Sequence, residues 1–286
     1  MSSYGAESEV EKLRKVLIHK PGEEFKVLNK GNAKMWLFDE PVDKDVIYGE
    51  YLKLKDALRN EGVEIVETTE GVDPNQCFVR DVGFVTGKGL VLGNFRAEVR
   101  KGEERVVAEK LMEEGIPLLG RVREPGFLEG GDVFFITPRD MVVGVGERSN
   151  REGAEQVFRL LRRQGLVDRI HYVELKEAFH LDLAFNMASW EVAGIYREAV
   201  GESLMKLLKA LEFEIIEVPR EDFRNLALNW LTLEPGKVLF LNGDRANRVT
   251  RRLLEAAGID VVSIELNEAL KGRGGLRCLT LPILRS

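Results

Sequence analysis

Five short runs of this 286-residue chain set reactive side chains inside strand-like surroundings. FVRDVGFV, from Phe78, carries Arg80 and Asp81, and EGGDVFFI carries Glu129 and Asp132. FHLDLAFN, from Phe179, carries His180 and Asp182, LNWLTLEP carries Asn229, and LRCLTLPI carries Cys278 behind the glycine-rich GRGG. Gathered by a fold, they make one pocket with a thiol, an imidazole and several carboxylates. A thiol beside an imidazole suits nucleophilic catalysis, in which cysteine attacks and histidine moves protons. The carboxylates are wrong for peptide hydrolysis, because they raise the thiol's pKa and leave no oxyanion hole. They suit a cationic substrate. A planar guanidinium has five N–H donors that pair bidentately with carboxylates, and its central carbon is open to a thiolate.

The elements that must gather these residues form a repeat. Aligned on Asp81, Asp132, Asp182, Trp230 and Cys278, the runs recur at intervals of 51, 50, 48 and 48 residues. Each of the first four is followed by a second apolar strand: GLVLGN, MVVGVG, EVAGIYRE and KVLFLNG. A helix-period segment comes next: ERVVAEKLMEEG, GAEQVFRLLRRQG, ESLMKLLKALE and RVTRRLLEAAG, three of them ending near a glycine. Strands rich in β-branched residues follow, as in IHYVEL, FEIIEVP and IDVVSIEL. The fifth repeat is split between the termini: RCLTLPIL supplies its first strand, and KVLIHKP, VIYGEYLKLKDALRN and VEIVET supply the rest. The pattern predicts one α/β domain over residues 1–286, a closed five-bladed propeller of ββαβ repeats, in which equivalent strand ends meet around one axis. A doubly wound sheet gives no reason for a hairpin in every unit. The longest irregular piece, residues 22–45, reads as a lid or an insert.

Bulk properties narrow the function. A net charge of -6 speaks against a nucleic-acid surface, which needs clustered, unpaired Lys and Arg. No run approaches the roughly 18 apolar residues of a membrane span, and the first twenty residues lack the apolar run of a signal peptide. Two cysteines without paired spacing fit free thiols in a reducing compartment, so the expected location is the cytoplasm, away from any membrane. Zinc sites draw on closely spaced His or Cys pairs, and none exists here, so no metal is expected. With 31% charged residues and three glutamines, the composition leans toward heat adaptation.

FVRD, EGGD, HLD and GRGGLRC, in this order over nearly the whole chain, resemble the arginine deiminases of the guanidine-modifying (amidinotransferase, or pentein) superfamily. The resemblance implies Cys278 as nucleophile, His180 as general acid and base, and Glu129 as the carboxylate orienting it. It implies that Asp81 and Asp182 hold the guanidinium nitrogens, and that Asn75, Arg100, Arg148 and Arg273 grip the α-amino-acid end. Arg100 follows Asp81 by 19 residues and Arg148 follows Glu129 by 19; Arg96 competes with Arg100. The implied reaction converts L-arginine to citrulline and ammonia through a cysteine S-alkylthiouronium, without a cofactor. Two features depart from the deiminases. The chain has no room for their helical insertion, being closer in size to dimethylarginine hydrolases, and Leu-Arg precedes Cys278 where Pro-His is common. Hydrolysis onward to ornithine, action on dimethylarginine and amidino transfer therefore stay open, as does a homo-oligomer.

Plainer readings stand beside these. His19, His171 and Cys77 read as ordinary packed residues, Trp230 as packing and Asn229 as undecided. Asp132 fits either the substrate site or a bond to the Gly130–Gly131 turn. From a different class, closed propellers of this kind include proteins that bind ribosomes without chemistry, which need no Cys, His and Glu at one axis.

Overall fold

A left-handed residue ends most of the helices and sends the chain back into a strand. Gly62, Gly115, Gly165 and Gly258 follow four helices at φ 74°, 81°, 70° and 78°. The fourth repeat uses Glu212 at φ 60° instead. The computed structural model describes residues 3–69, 71, 73–242 and 246–286.

Five three-stranded sheets result. One blade contains β1 (Leu13–His19), α1 (Lys44–Asn60) and β2 (Glu64–Thr68), and the next contains β3 (Gly83–Thr86), β4 (Gly89–Leu92), α2 (Glu103–Glu113) and β5 (Leu118–Arg121). The third comprises β6 (Val133–Thr137), β7 (Asp140–Val145), α3 (Arg151–Arg163) and β8 (Arg169–Glu174). The fourth comprises β9 (Phe185–Met187), β10 (Val192–Ile195), α4 (Glu202–Ala210) and β11 (Glu214–Glu217). After the short helix α5 (Arg220–Arg224) come β12 (Leu231–Glu234), β13 (Lys237–Leu241), α6 (Arg248–Ala256) and β14 (Asp260–Ile264), and finally β15 (Leu281–Arg285). In every sheet the middle strand runs antiparallel to one neighbour and parallel to the other. The parallel partner is reached through the helix, since parallel strands cannot be joined by a tight turn. β15 joins β1, with Leu17 opposite Leu281 and Val16 opposite Pro282. Pro282 is tolerated because β15 is an edge strand. The architecture is the five-bladed α/β propeller that the repeats predict.

The reactive runs are not strands throughout, as their apolar character suggests. Asp81, Asp132 and Asp182 sit in 3-10 turns, Val79–Val82, Gly130–Asp132 and Leu181–Leu183, and the strands begin just beyond. A strand sends successive side chains to opposite faces. The tight turns leave all three carboxylates buried, at 3%, 0% and 0% exposure.

Residues 22–45 form a docked strap rather than a loose insert. It carries two 3-10 turns, Glu23–Val27 and Ala33–Trp36, and buries Phe38 against Phe25 and Phe78. The Asp39 N–H donates to the Lys271 carbonyl at 2.7 Å, and the Asp43 N–H donates to Glu268 Oε2 at 2.7 Å. The strap is thereby tied to the loop before Cys278. Trp230 is packing, as read: it is fully buried, and its Nε1 donates to the Met187 carbonyl at 3.1 Å.

Candidate active site

Cys278 is held by its backbone. Asn229 Oδ1 accepts from the N–H groups of both Arg277 (3.0 Å) and Cys278 (3.2 Å), while its Nδ2 donates to the Asp182 carbonyl at 3.2 Å. Asn229, left undecided by the sequence, thus joins the fourth and fifth reactive runs. The glycines ahead of the thiol serve close packing rather than a left-handed turn. A Cβ on Gly274 would lie 2.3 Å from the Phe78 ring, and one on Gly275 2.9 Å from Asn229 Oδ1. The left-handed residue in this loop is Arg273, at φ 61°.

Asp182 Oδ2 lies 3.8 Å from Cys278 Sγ and accepts from Arg277 Nη1 at 2.9 Å. His180 is fully buried, with Nε2 2.8 Å from Glu129 Oε2 and Nδ1 3.6 Å from Asp81 Oδ1. Burial by itself lowers the imidazole's pKa, but Asp81 and Glu129 outweigh it and raise it to about 9, so the ring is an imidazolium at neutral pH. Burial opposes ionisation of Glu129 too, and His180, Arg100 and Arg148 together hold it below the ordinary carboxylate range. Burial pushes the Cys278 thiol well up, and the charges of Asp182 and Asp81 push it further. In the free protein it is a protonated thiol.

A cavity of about 240 Å³ opens onto this cluster. Cys278, Asp81, Asn75, Arg100, Arg148 and Arg273 all line it. His180, Glu129 and Asp182 stand behind that wall, within the distances just given. Arg100 donates to both Glu103 oxygens (2.8 and 2.7 Å), to Asp81 Oδ2 (2.7 Å) and to Glu129 Oε2 (3.3 Å). Arg148 covers the Phe179 ring at 5.2 Å, and Arg273 pairs with Asp39 of the strap. Asn75 Nδ2 donates to the Trp36 carbonyl at 3.1 Å. Arg96 donates instead to the exposed Glu147 carbonyl. Five buried atoms of these residues have no hydrogen-bond partner among the described residues: Asp81 Oδ1, Asp182 Oδ1, Glu129 Oε1, His180 Nδ1 and Arg148 Nη1.

Sequence reasoning missed several members. Lys34 and Asp39 enter the wall from the strap, and Glu147 from beside Arg148; no periodicity pointed to them. Glu103 grips Arg100 from three residues on, a helical spacing that offered a signal. Asp132 takes neither expected role: it accepts from Ser149 Oγ and, at 2.8 Å, from the Leu181 N–H, bracing two reactive turns. Cys77 is buried with Sγ 3.4 Å from the Pro74 carbonyl, and His19 lies between Thr68 and Glu24. Asp81, Glu129 and His180 are the one group among the described residues spaced to surround a metal ion. Their mutual pairing and Arg100 already meet that charge from within. No helix among the described residues is long and apolar enough to cross a membrane.

Comparison with known proteins gives the family and the fold of the chain. Residues 30–285 match the family model described as N,N dimethylarginine dimethylhydrolase, eukaryotic. The chain is 32% identical over 278 residues to the protein YkgA of Bacillus subtilis, covering 96% of this chain and 92% of that one. It is 28% identical over 255 residues to the arginine deiminase of Listeria monocytogenes serotype 4a, covering 74% of this chain and 62% of the deiminase's length. Among solved structures, a cysteine-to-serine mutant of DDAH from Pseudomonas aeruginosa complexed with citrulline superposes with a TM-score of 0.79 at 22% identity, covering 94% of this chain and 99% of that one. Fold, site and relatives define an enzyme of the guanidine-modifying superfamily, a hydrolase of C–N bonds in amidines. Within it, the chain belongs to the N,N-dimethylarginine dimethylhydrolase family.

Proposed function

We propose that the protein hydrolyses free L-arginine to citrulline and ammonia. The observation that carries this reading is a pair of buried oxygens, Asp81 Oδ1 and Asp182 Oδ1, which have no hydrogen-bond partner among the described residues and belong to the two carboxylates whose charges act on the Cys278 thiol. Each calls for an N–H donor, and an unsubstituted guanidinium supplies one to both. Arg148, Arg273 and Asn75 grip the α-amino-acid end, aided by the one N–H of Arg100 that its carboxylate partners leave over.

The bound cation lowers the thiol's pKa by offsetting the fields of Asp81 and Asp182. The thiol gives its proton to solvent as the cation enters, and the thiolate attacks the guanidinium carbon. His180 protonates the nitrogen that departs as ammonia, while Glu129 fixes its ring. Water, deprotonated by His180, then attacks the S-alkylthiouronium carbon, and the C–S bond breaks to release citrulline and the thiol. The neutral ureido product gives the two aspartates less charge to hold, which favours release after one hydrolysis.

The family match favours a second reading, dimethylarginine as substrate. Its doubly methylated nitrogen has no N–H and would leave one buried aspartate oxygen unpaired. Incubation of the purified protein with L-arginine, N,N-dimethylarginine or agmatine, with all products quantified, decides between them. One ammonia per citrulline from arginine is the expected result, with kcat/KM on agmatine lower by about 100-fold or more because the carboxylate grip has no partner. Ornithine with two ammonia per arginine, or preferential release of dimethylamine, overturns the proposal.

A further inference from the structure

Arg277 precedes the nucleophile and takes no part in the chemistry above, yet it is 2% exposed. Its Nη1 donates to Asp182 Oδ2 at 2.9 Å, and its Nη2 donates to the Val133 carbonyl at 3.0 Å and to Glu9 Oε2 at 3.2 Å. Its guanidinium covers the Phe134 ring at 4.0 Å. One arm of the fork is thus anchored away from the pocket while the other holds a substrate-binding carboxylate by one oxygen. The second oxygen, Asp182 Oδ1, is left without a partner among the described residues.

Asp182 is fully buried, and burial raises its pKa above the ordinary carboxylate value even against the opposing pull of Arg277 and His180. A protonated acid no longer attracts a guanidinium. The charged groups facing Asp182 are Arg277, His180 and Asp81, with the Cys278 thiol beside them. His180 is already paired with Glu129, and Asp81 repels a second negative charge. Arg80 lies nearby, but its Nε reaches the Arg277 carbonyl at 3.4 Å rather than the carboxylate. The cation in hydrogen-bond contact with Asp182 is Arg277.

We infer that Arg277 is a positioning residue of this site, which keeps Asp182 ionised and fixes one of its oxygens so that the other remains for the substrate's guanidinium. The inference rests on the guanidine-hydrolase reading of the pocket. The infrared carboxyl band of Asp182, taken as the difference between wild type and Asp182→Asn, tests it without any substrate. A carboxylate band from pH 6 to 9 in the wild type, replaced near pH 6 by an acid band in Arg277→Met, is expected; a protonated Asp182 in the wild type at pH 7 overturns it. That result is independent of whether arginine is turned over.

Binding supplies the second arm, with the guanidinium ion as probe and protection of the Cys278 peptide from iodoacetamide as readout, alongside KM for L-arginine. Arg277→Met should weaken both by about 10- to 100-fold at neutral pH, with kcat changed less, and both should recover as pH rises and Asp182 ionises unaided. Arg277→Lys, which restores the charge without the fork, should regain much of the loss. Unchanged constants in a folded Arg277→Met protein overturn the proposal. So does an equal loss in the Met and Lys variants that pH does not move, since that is a packing defect. Where Arg277→Met does not fold, the wild-type infrared band alone decides.

Discussion

Cys278 sits in a field that keeps its thiol protonated, so its reactivity depends on what fills the pocket. Replacing sulfur by oxygen leaves the Asn229 bonds to the backbone in place. Cys278→Ser should therefore melt within a few degrees of the wild type while losing kcat by about 1,000-fold or more, as the removal of a covalent nucleophile does; residual turnover near a tenth of wild type would take Cys278 out of the mechanism. His180 makes a separate prediction. Its folded-state pKa, raised to about 9, lies above the ordinary 6.5, so its contribution to stability is complete below 6.5 and is lost as pH rises through about 9. The loss is on the order of 3 kcal/mol. Urea unfolding at pH 6, 7.5 and 9 should show the wild type weakening across this window, and His180→Asn weakening less. Parallel pH slopes for the two proteins would show that His180 is not held as an imidazolium.

At the scale of elements, the helix ends separate the fourth repeat from the others. A residue with a Cβ in the left-handed region is strained by roughly 1 kcal/mol relative to glycine, and exposed Glu212 occupies that place after α4. Glu212→Gly is expected to raise the melting temperature by about 1–3 °C without touching the pocket. A lower melting temperature would mean that the flexibility glycine adds to the unfolded chain outweighs the relieved strain. The same comparison shows what periodicity conveys. Amphipathic helices and β-branched strands were readable because each must turn an apolar face to its blade. The 3-10 turns at Asp81, Asp132 and Asp182 were not, because a single tight turn has no period to detect.

The whole molecule depends on closure between its ends. The Gly5 N–H donates to the Ile283 carbonyl at 2.8 Å, and the Arg285 N–H donates to the Gly5 carbonyl at 2.9 Å. Deleting residues 281–286 removes β15 and leaves β1 with β2 alone, so the truncated chain should lose its cooperative melt. Joining the termini with a short flexible linker and opening the chain in the exposed turn at Gly165 leaves every strand and helix intact and moves the split from the blade of β1 and β15 to the third blade. That permutant should fold and keep kcat within about tenfold of the wild type, since exposed loop tips tolerate cuts that strands do not. A folded, active truncation, or a permutant that does not fold, would show that closure through β15 is not what holds the propeller together.

The sequence by itself determined the number of blades, the order of elements in each, and the side chains that closure gathers at one axis. Those follow from repeat spacing and from burial patterns that neighbouring residues impose on one another. Only the tertiary structure decided how the charges at the axis are shared. Arg100 and Arg277 carry the same charge and both lie near the substrate aspartates, yet Arg100 lines the cavity and binds Asp81, whereas Arg277 lies behind Cys278 and binds Asp182. The strap, with Lys34 and Asp39, reached the pocket wall in the same hidden way. Coulomb energies and hydrogen bonds depend on distances of a few ångströms between residues far apart in the chain, 268 positions for Glu9 and Arg277, and no spacing along the chain encodes them.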